Sequence, residues 1–95
     1  MSQAARFGDL CTGHECWEPR RNDQGSPNVF INGLQAHRQT DHWVVHFCDD
    51  DYHESTLCNG SPTVFTNNLQ QGRVGDPVCC GSRIAQGSPD VFVGG

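Results

Sequence analysis

Gly25-Ser26-Pro27-Asn28-Val29-Phe30 is the stretch that decides the fold, because close copies of it occur three times in the chain. It returns as Gly60-Ser61-Pro62-Thr63-Val64-Phe65 and then as Gly87-Ser88-Pro89-Asp90-Val91-Phe92. In each copy Gly-Ser-Pro favours a turn, and the Val-Phe pair that follows favours a β-strand. Repetition at a spacing of roughly 30 residues indicates repeated structural units. We therefore divide the chain into three repeats, roughly 1–33, 34–68 and 69–95.

The residues after each Val-Phe pair predict a tight β-hairpin. Asn32-Gly33 is the strongest short hairpin signal, because both turn residues must accept positive φ, and Asn67-Asn68 occupies the same place in the second repeat. The expected return strands are Leu34–His37 and Leu69–Gln71. This pattern predicts an all-β protein made of small hairpin units.

The two ends of the chain complete this pattern. The third repeat reaches its turn at Gly94-Gly95 with no return strand after it, whereas Gln3–Ala5 resembles a return strand with no hairpin before it. We therefore expect Gln3–Ala5 to pair with Val91–Val93. This pairing would close three similar units around a pseudo-threefold axis, and it would leave no exposed sheet edge at the chain ends.

A second element also occurs three times and combines an arginine with an aspartate three residues later. Its copies are Arg6 with Asp9, Arg38 with Asp41, and Arg73 with Asp76. Because each copy follows a return strand, we expect a repeated ion pair that fixes the corner there. The alternative is a solvated turn in which the pair contributes under about 1 kcal/mol.

Composition and charge limit the possible functions. The 95 residues fit one domain, and an apolar fraction of 35% predicts a small core that a crosslink or a metal ion would help to stabilise. Lysine is absent and the net charge is −5, which argues against a nucleic-acid partner because phosphate binding needs a basic surface. The segment Met1–Arg6 has no signal-peptide pattern, so we expect synthesis in the cytoplasm.

The six cysteines and five histidines are the candidate metal ligands. Disulfides are typical of secreted domains, so metal ligation is the better hypothesis for a chain without a signal peptide. Aligning the repeats gives two equivalent positions per unit, and these positions hold His14, Glu18, His46, His53, Cys80 and Gly81. The nitrogen and sulfur donors among them, from three histidines and one cysteine, match the tetrahedral ligands of a closed structural zinc site.

Alternative ligand sets remain open on the residues alone. Iron could occupy the same donors in place of zinc. Cys16 and Cys48 are alternative thiol ligands because each lies two residues after a candidate histidine, and Cys79 competes with its neighbour Cys80.

The other histidines, cysteines and tryptophans are expected to have structural roles. His37 and His42 lie in repeat positions that elsewhere hold no ligand type, so we expect ordinary surface or strand histidines. Cys11 and Cys58 are read as small buried side chains, and Trp17 as a packing residue. A disulfide-stapled extracellular binding module is the alternative for the cysteines.

The sequence resembles the PAAR-repeat family. The three Gly-Ser-Pro elements carry the resemblance, together with three segments in the place of the Pro-Ala-Ala-Arg element that gives the family its name. These segments are Gln3-Ala4-Ala5-Arg6, Gln35-Ala36-His37-Arg38 and Gln70-Gln71-Gly72-Arg73. None of them keeps the proline, and the third keeps only the arginine. The resemblance covers essentially the whole chain.

The resemblance implies a pyramidal all-β domain with one structural zinc ion near its vertex. By motif position its ligands fall on His14, His46, His53 and Cys80. It further implies a non-enzymatic protein that caps a homotrimeric β-helical spike, one copy per trimer, in a contractile phage tail or a type VI secretion system. Such a protein would lie at the tail tip, baseplate or secretion spike tip, and would contact the target cell envelope transiently as it pierces it.

Two other functions are weighed against the spike tip. The first is a carrier tip that delivers a separately encoded toxin effector, because the chain ends at Gly95 and we expect no fused enzyme. The second is a zinc-dependent hydrolase with Glu15, Glu18 or Glu54 as general base. A hydrolase is disfavoured because four protein donors leave no open position on the metal.

Overall fold

The structure is a computed structural model that describes residues 1–14, 16–48 and 51–94, without the side chains of His46 and Asp51. Every element of regular secondary structure in these residues is a β-strand, which confirms the predicted all-β class. They are β1 (Ser2–Gln3), β2 (Phe30–Ile31), β3 (Leu34–Gln35), β4 (His42–Cys48), β5 (Asp51–Thr56), β6 (Phe65–Thr66), β7 (Leu69–Gln70) and β8 (Phe92–Val93). The molecule measures 37 by 24 by 21 Å. Within the described ranges there is no helix with the length and apolar character that a membrane crossing requires.

Three of the small sheets are the hairpin units that the repeats predict. Strand β2 pairs with β3, β6 pairs with β7, and β1 pairs with β8, all antiparallel. In the last sheet Ser2 lies opposite Val93 and Gln3 lies opposite Phe92, so the two ends of the chain pair as expected. The Asn32-Gly33 turn has φ angles of 55° and 78°, as the hairpin signal requires.

A closed ring of three backbone hydrogen bonds marks the pseudo-threefold axis. The Ala5 N–H donates to the Gly72 carbonyl (2.9 Å), Gly72 donates to His37 (2.9 Å), and His37 donates to Ala5 (3.1 Å). These residues hold equivalent places in the three repeats. Space on this axis is limited, because a Cβ at Gly72 would lie 2.9 Å from Cδ2 of Leu57.

The geometry of each Gly-Ser-Pro element explains its composition. The glycine lies against a return strand, so that a Cβ at Gly87 would approach the Ala4 carbonyl oxygen to 2.8 Å. The serines are fully buried, and in the first copy Oγ of Ser26 accepts the Val29 N–H at 2.9 Å. Val64 and Val91 donate to their own serines in the same way. The motif therefore combines a close backbone approach with a side-chain cap for the turn.

The three Arg-x-x-Asp elements form the same buried corner in each repeat. Nε and Nη2 of Arg38 donate to the two carboxylate oxygens of Asp41 at 2.9 Å each, and the backbone N–H of Arg38 donates to the same carboxylate at 2.8 Å. The three aspartates are all buried, with Asp41 1% exposed. Bidentate, charge-assisted pairs of this kind are the stronger class of hydrogen bond. The ion-pair interpretation is confirmed, and the solvated turn is wrong.

Most of the core and the longest hairpin lie in the segments between the repeat motifs. The apolar side chains buried together are Ala5, Cys11, Trp43, Leu57, Val78 and Ile84. Strands β4 and β5 form a hairpin that the repeat pattern did not predict, in which His46 lies opposite His53 and Phe47 lies opposite Tyr52. This hairpin supplies Trp43 to the core and carries two candidate ligands.

Candidate metal centre

A tight turn fixes the position of His14. The His14 N–H donates to the Trp17 carbonyl (2.9 Å), and the Trp17 N–H donates back to the His14 carbonyl (2.8 Å). Gly13 makes this turn possible, because its φ is 71° and a Cβ there would lie 2.6 Å from the Trp17 oxygen. As a result the imidazole of His14 stacks on the indole of Trp17, with ring centroids 4.9 Å apart and planes at 24°.

The hairpin β4–β5 supplies His53. Its ring lies 5.4 Å from the ring of His14, with planes at 22°, and 5.0 Å from the ring of Trp17. Trp17 therefore contacts both imidazoles. His46 lies opposite His53 in the register of the hairpin, but its side chain lies outside the described part of the chain.

A second tight turn supplies Cys80. The Gly81 N–H donates to the Val78 carbonyl at 2.9 Å, and Gly81 has a φ of 109°. The turn lies beside the first ligand loop, because a Cβ at Gly81 would be 3.9 Å from Nδ1 of His14. The polypeptide thus reverses direction immediately after Cys80.

The donor atoms of His14, His53 and Cys80 lie within 4.8 Å of one another. All three side chains are half-buried, and each comes from a different repeat. Two imidazole nitrogens and one thiolate sulfur are donors that suit zinc. These residues therefore fit a metal ion, and three of the four predicted ligands form one cluster. The fourth, His46, is represented only by its backbone position across from His53.

Four of the remaining cysteines form disulfides, which the sequence analysis considered only as the alternative to metal ligation. Cys16 is bonded to Cys48, with Cα atoms 5.5 Å apart, and Cys58 is bonded to Cys79, with Cα atoms 4.9 Å apart. The alternative in which Cys16 and Cys48 are thiol ligands is therefore wrong for this structure, because the two sulfurs are joined to each other. The same applies to Cys79 as a competitor of Cys80, and to the reading of Cys58 as a lone packing residue.

Two of the candidate general bases lie outside the cluster. Glu18 is exposed and pairs with Arg20 at 3.6 Å. Glu54 is exposed and contacts His42 rather than the cluster. Glu15 lies outside the described residues.

The two histidines without a predicted ligand role differ in environment. His37 is fully buried, with Nδ1 2.8 Å from the Gln24 carbonyl oxygen, so the expectation of an ordinary surface or strand histidine is wrong for it. Burial lowers the pKa of His37. His42 begins β4 at the surface, and its hydrogen bond to the Asp23 carboxylate, followed by that to Glu54, raises the pKa of His42.

Trp17 is the site residue whose role sequence reasoning missed. It was expected to pack, but not to contact two of the candidate ligands. Its repeat position held no recurring residue type, so the aligned repeats gave no signal. The only available sign was its place three residues after His14, which suits a turn that folds back on itself.

Comparison with known proteins identifies a family and a relative of this chain. The family model of the PAAR motif matches residues 48–95. The double-stranded DNA deaminase toxin A of Burkholderia cenocepacia (strain H111) is 34% identical to this chain over 71 residues, which is 75% of the chain. The chain spans only 5% of the length of that toxin. On the family-model match, the chain belongs to the PAAR motif family, whose members form spike tips of contractile injection systems.

Proposed function

We propose that this chain is a metal-stabilised tip that caps a trimeric β-helical spike and helps it to pierce a target cell envelope. The observation that carries the proposal is the convergence of one donor from each of three repeats, His14, His53 and Cys80, within 4.8 Å. A single ion held there would join all three repeats at one point. The proposed setting is a type VI secretion spike or a contractile phage tail, and the proposed role is structural rather than enzymatic.

Zinc is the ion that the donor set favours, with His46 as the proposed fourth ligand. Its support is the register of β4–β5, which sets the backbone of His46 opposite that of His53. When bound, the ion would supply a crosslink between segments of the three repeats. Structural zinc contributes roughly 10 kcal/mol or more of apparent binding free energy in small domains, which is comparable to the whole stability of a typical domain.

A tip that caps a spike also needs a surface that binds the spike. We propose that the three Val-Phe pairs form this surface. Val29, Val64 and Val91 are each 38% exposed. The phenylalanines that follow them are also alike, since Phe30, Phe65 and Phe92 are 56, 55 and 49% exposed. Three equivalent apolar patches around a pseudo-threefold axis suit a homotrimer, because each patch can meet one chain of the spike in a similar way. We therefore propose one copy of this protein per trimer.

One experiment tests metal and spike together. Untagged protein prepared without chelators is expected to contain one equivalent of zinc, and it should co-purify with a trimeric β-helical spike protein in a ratio of one to three. His53→Ala should lose the metal, whereas His42→Ala, which changes a histidine outside the cluster, should keep it.

Replacing Phe30, Phe65 and Phe92 together by serine should abolish spike binding and leave the zinc content unchanged. Zinc well below half an equivalent would reject the metal site, and a bound spike with three copies per trimer would reject the proposed stoichiometry.

Carriage of a toxin is the second candidate. The observation that favours it is the similarity to a Burkholderia protein named as a deaminase toxin, of which a region like this chain makes up 5%. Under this proposal the tip also carries an effector to the target cell. Co-purification of a toxin with the assembled spike and tip would support it.

A further inference from the structure

The two disulfides join the segments that carry the candidate ligands. Cys16 lies two residues after His14, and its partner Cys48 belongs to β4. Cys79 immediately precedes Cys80, and its partner Cys58 lies two residues after the end of β5. The first bond therefore joins the first repeat to the second, and the second bond joins the second repeat to the third. Together they connect the same three chain segments that a metal ion would connect.

Backbone hydrogen bonds bring the segments of each cysteine pair together. The Cys79 N–H donates to the Thr56 carbonyl at 2.9 Å, and the Cys58 N–H donates to the Pro77 carbonyl at 3.0 Å. For the other pair, the Val44 N–H donates to the Arg21 carbonyl at 3.1 Å and holds β4 beside the segment that follows Cys16. Both Cα separations, 5.5 and 4.9 Å, lie in the range that a disulfide spans without backbone movement.

Each of the two pairs contains a cysteine that is more exposed than Cys80 or Cys11. Each pair has one exposed member, Cys16 in one and Cys79 in the other. Cys80 is half-buried and Cys11 is buried in the core. Because thiol oxidation follows access, an oxidant would reach the two pairs before it reaches the candidate ligand. Oxidation also removes Cys79 as a rival donor next to Cys80.

We infer that Cys16–Cys48 and Cys58–Cys79 are two dithiol oxidation sites that crosslink the vertex and hold the metal ligands in position before the ion binds. The inference rests on the proposed metal-stabilised tip and adds a covalent step to it. The oxidant belongs to the class of disulfide compounds. One cysteine thiolate attacks the disulfide of the oxidant and releases one thiol, and the partner cysteine then displaces the second thiol. In total, each cysteine pair gives two electrons and two protons to the oxidant, which is released as two thiols.

The consequence for metal binding is preorganisation. The bonds close chain separations of 32 and 21 residues, and such closures restrict the unfolded and loosened states of a chain. Binding of an ion to the crosslinked vertex therefore costs less conformational entropy than binding to the reduced vertex. Oxidised protein should therefore bind zinc more tightly than protein that cannot form the bonds.

The experiment compares three forms of the full chain, each stripped of metal. They are wild type treated with oxidised glutathione, wild type treated with a reductant, and a variant with Cys16, Cys48, Cys58 and Cys79 all changed to serine. Titration of the denatured oxidised protein should find two thiols, those of Cys11 and Cys80. The oxidised protein should melt at least about 10 °C above the reduced protein, and the serine variant should melt at the same temperature with or without oxidant. In competition with a chelator, Zn²⁺ should bind the serine variant at least about tenfold more weakly than the oxidised wild type, a loss typical when the support around metal ligands is removed.

The outcomes separate this inference from the proposed metal site. Six titratable thiols after oxidant treatment, or equal melting temperatures for the oxidised and reduced forms, would overturn the crosslinks even in a protein that binds zinc. Equal zinc affinities for the oxidised wild type and the serine variant would overturn the preorganisation. Absence of Zn²⁺ binding in all three forms would instead reject the metal site itself. If the serine variant fails to fold, the two variants that each lack one pair provide the same comparison.

Discussion

His42 is a surface histidine that contacts a carboxylate through each of its ring nitrogens. Nδ1 lies 2.6 Å from Asp23 and Nε2 lies 3.1 Å from Glu54. These hydrogen bonds raise the pKa of His42 above 6.5, so the folded protein binds this proton more tightly than the unfolded chain does. The stabilisation is therefore fully present below pH of about 6.5 and is lost as the pH rises through the raised value. We expect the melting temperature of wild type to exceed that of His42→Gln at about pH 6, with the difference shrinking toward pH 9.

The comparison between the two proteins isolates this residue. Buried His37 has a lowered pKa and acts in the opposite direction, but it is present in both proteins and cancels. Since both carboxylates are exposed, added salt should also reduce the difference. A difference in melting temperature that stays constant across the pH range would contradict the prediction.

The Arg38–Asp41 pair is a second feature that acts at the scale of single residues. The Asp41 side chain is 2% exposed and accepts three hydrogen bonds from Arg38. Asp41→Asn leaves a guanidinium without its charge partner, and removing one member of a buried pair typically costs about 3–5 kcal/mol. Chemical denaturation should measure this loss of unfolding free energy. Glu18→Gln is the matched control, because Glu18 is exposed in its pair with Arg20 and should change stability by less than about 1 kcal/mol. Equal effects of the two substitutions would show that the corner contributes little.

At the scale of structural elements, local turn chemistry explains what the sequence predicted correctly. The conformation of the Asn32-Gly33 and Asn67-Asn68 turns depends on the turn residues themselves. Their hairpins could therefore be predicted from a short sequence motif. Strands β4 and β5 were missed because the second repeat carries a longer segment there, without a counterpart in the other repeats. Alignment of repeats identifies only what recurs.

The ligand positions and the disulfides show the same limit. Repeat alignment selected His14, His53 and Cys80, which the structure brings into one cluster. It could not predict the partners of Cys16 and Cys58, because those contacts depend on how neighbouring loops meet in space. His37 was misjudged for a related reason. Its repeat position holds Ala5 and Gly72 elsewhere, and these small residues indicated a crowded axis rather than a surface.

At the scale of the whole molecule, three equivalent units arranged in a ring should tolerate a change in where the chain begins. The ends already lie together, because β1 pairs with β8 and a Cβ at Gly94 would be 3.8 Å from Sδ of Met1. The units are also linked around the ring, since Asn32 donates to Asp90 at 2.8 Å and joins the first repeat to the third. We therefore expect a circular permutant that joins the present ends through a short glycine linker and opens at the exposed Asn67-Asn68 turn to fold and to bind one zinc ion.

Melting temperature and zinc content measure the outcome for this permutant. Both should stay near wild type, because opening this turn loosens the hydrogen bonds that Asn67 accepts from Ser26 and Arg38 but leaves the axis, the three Arg–Asp pairs and the ligand cluster in place. A second permutant that opens between Arg38 and Asp41 is the control. It interrupts a buried ion pair and should be severely destabilised. If the Asn67-Asn68 permutant were as unstable as this control, the three units would not be equivalent, and the ring would depend on the order in which the chain connects them.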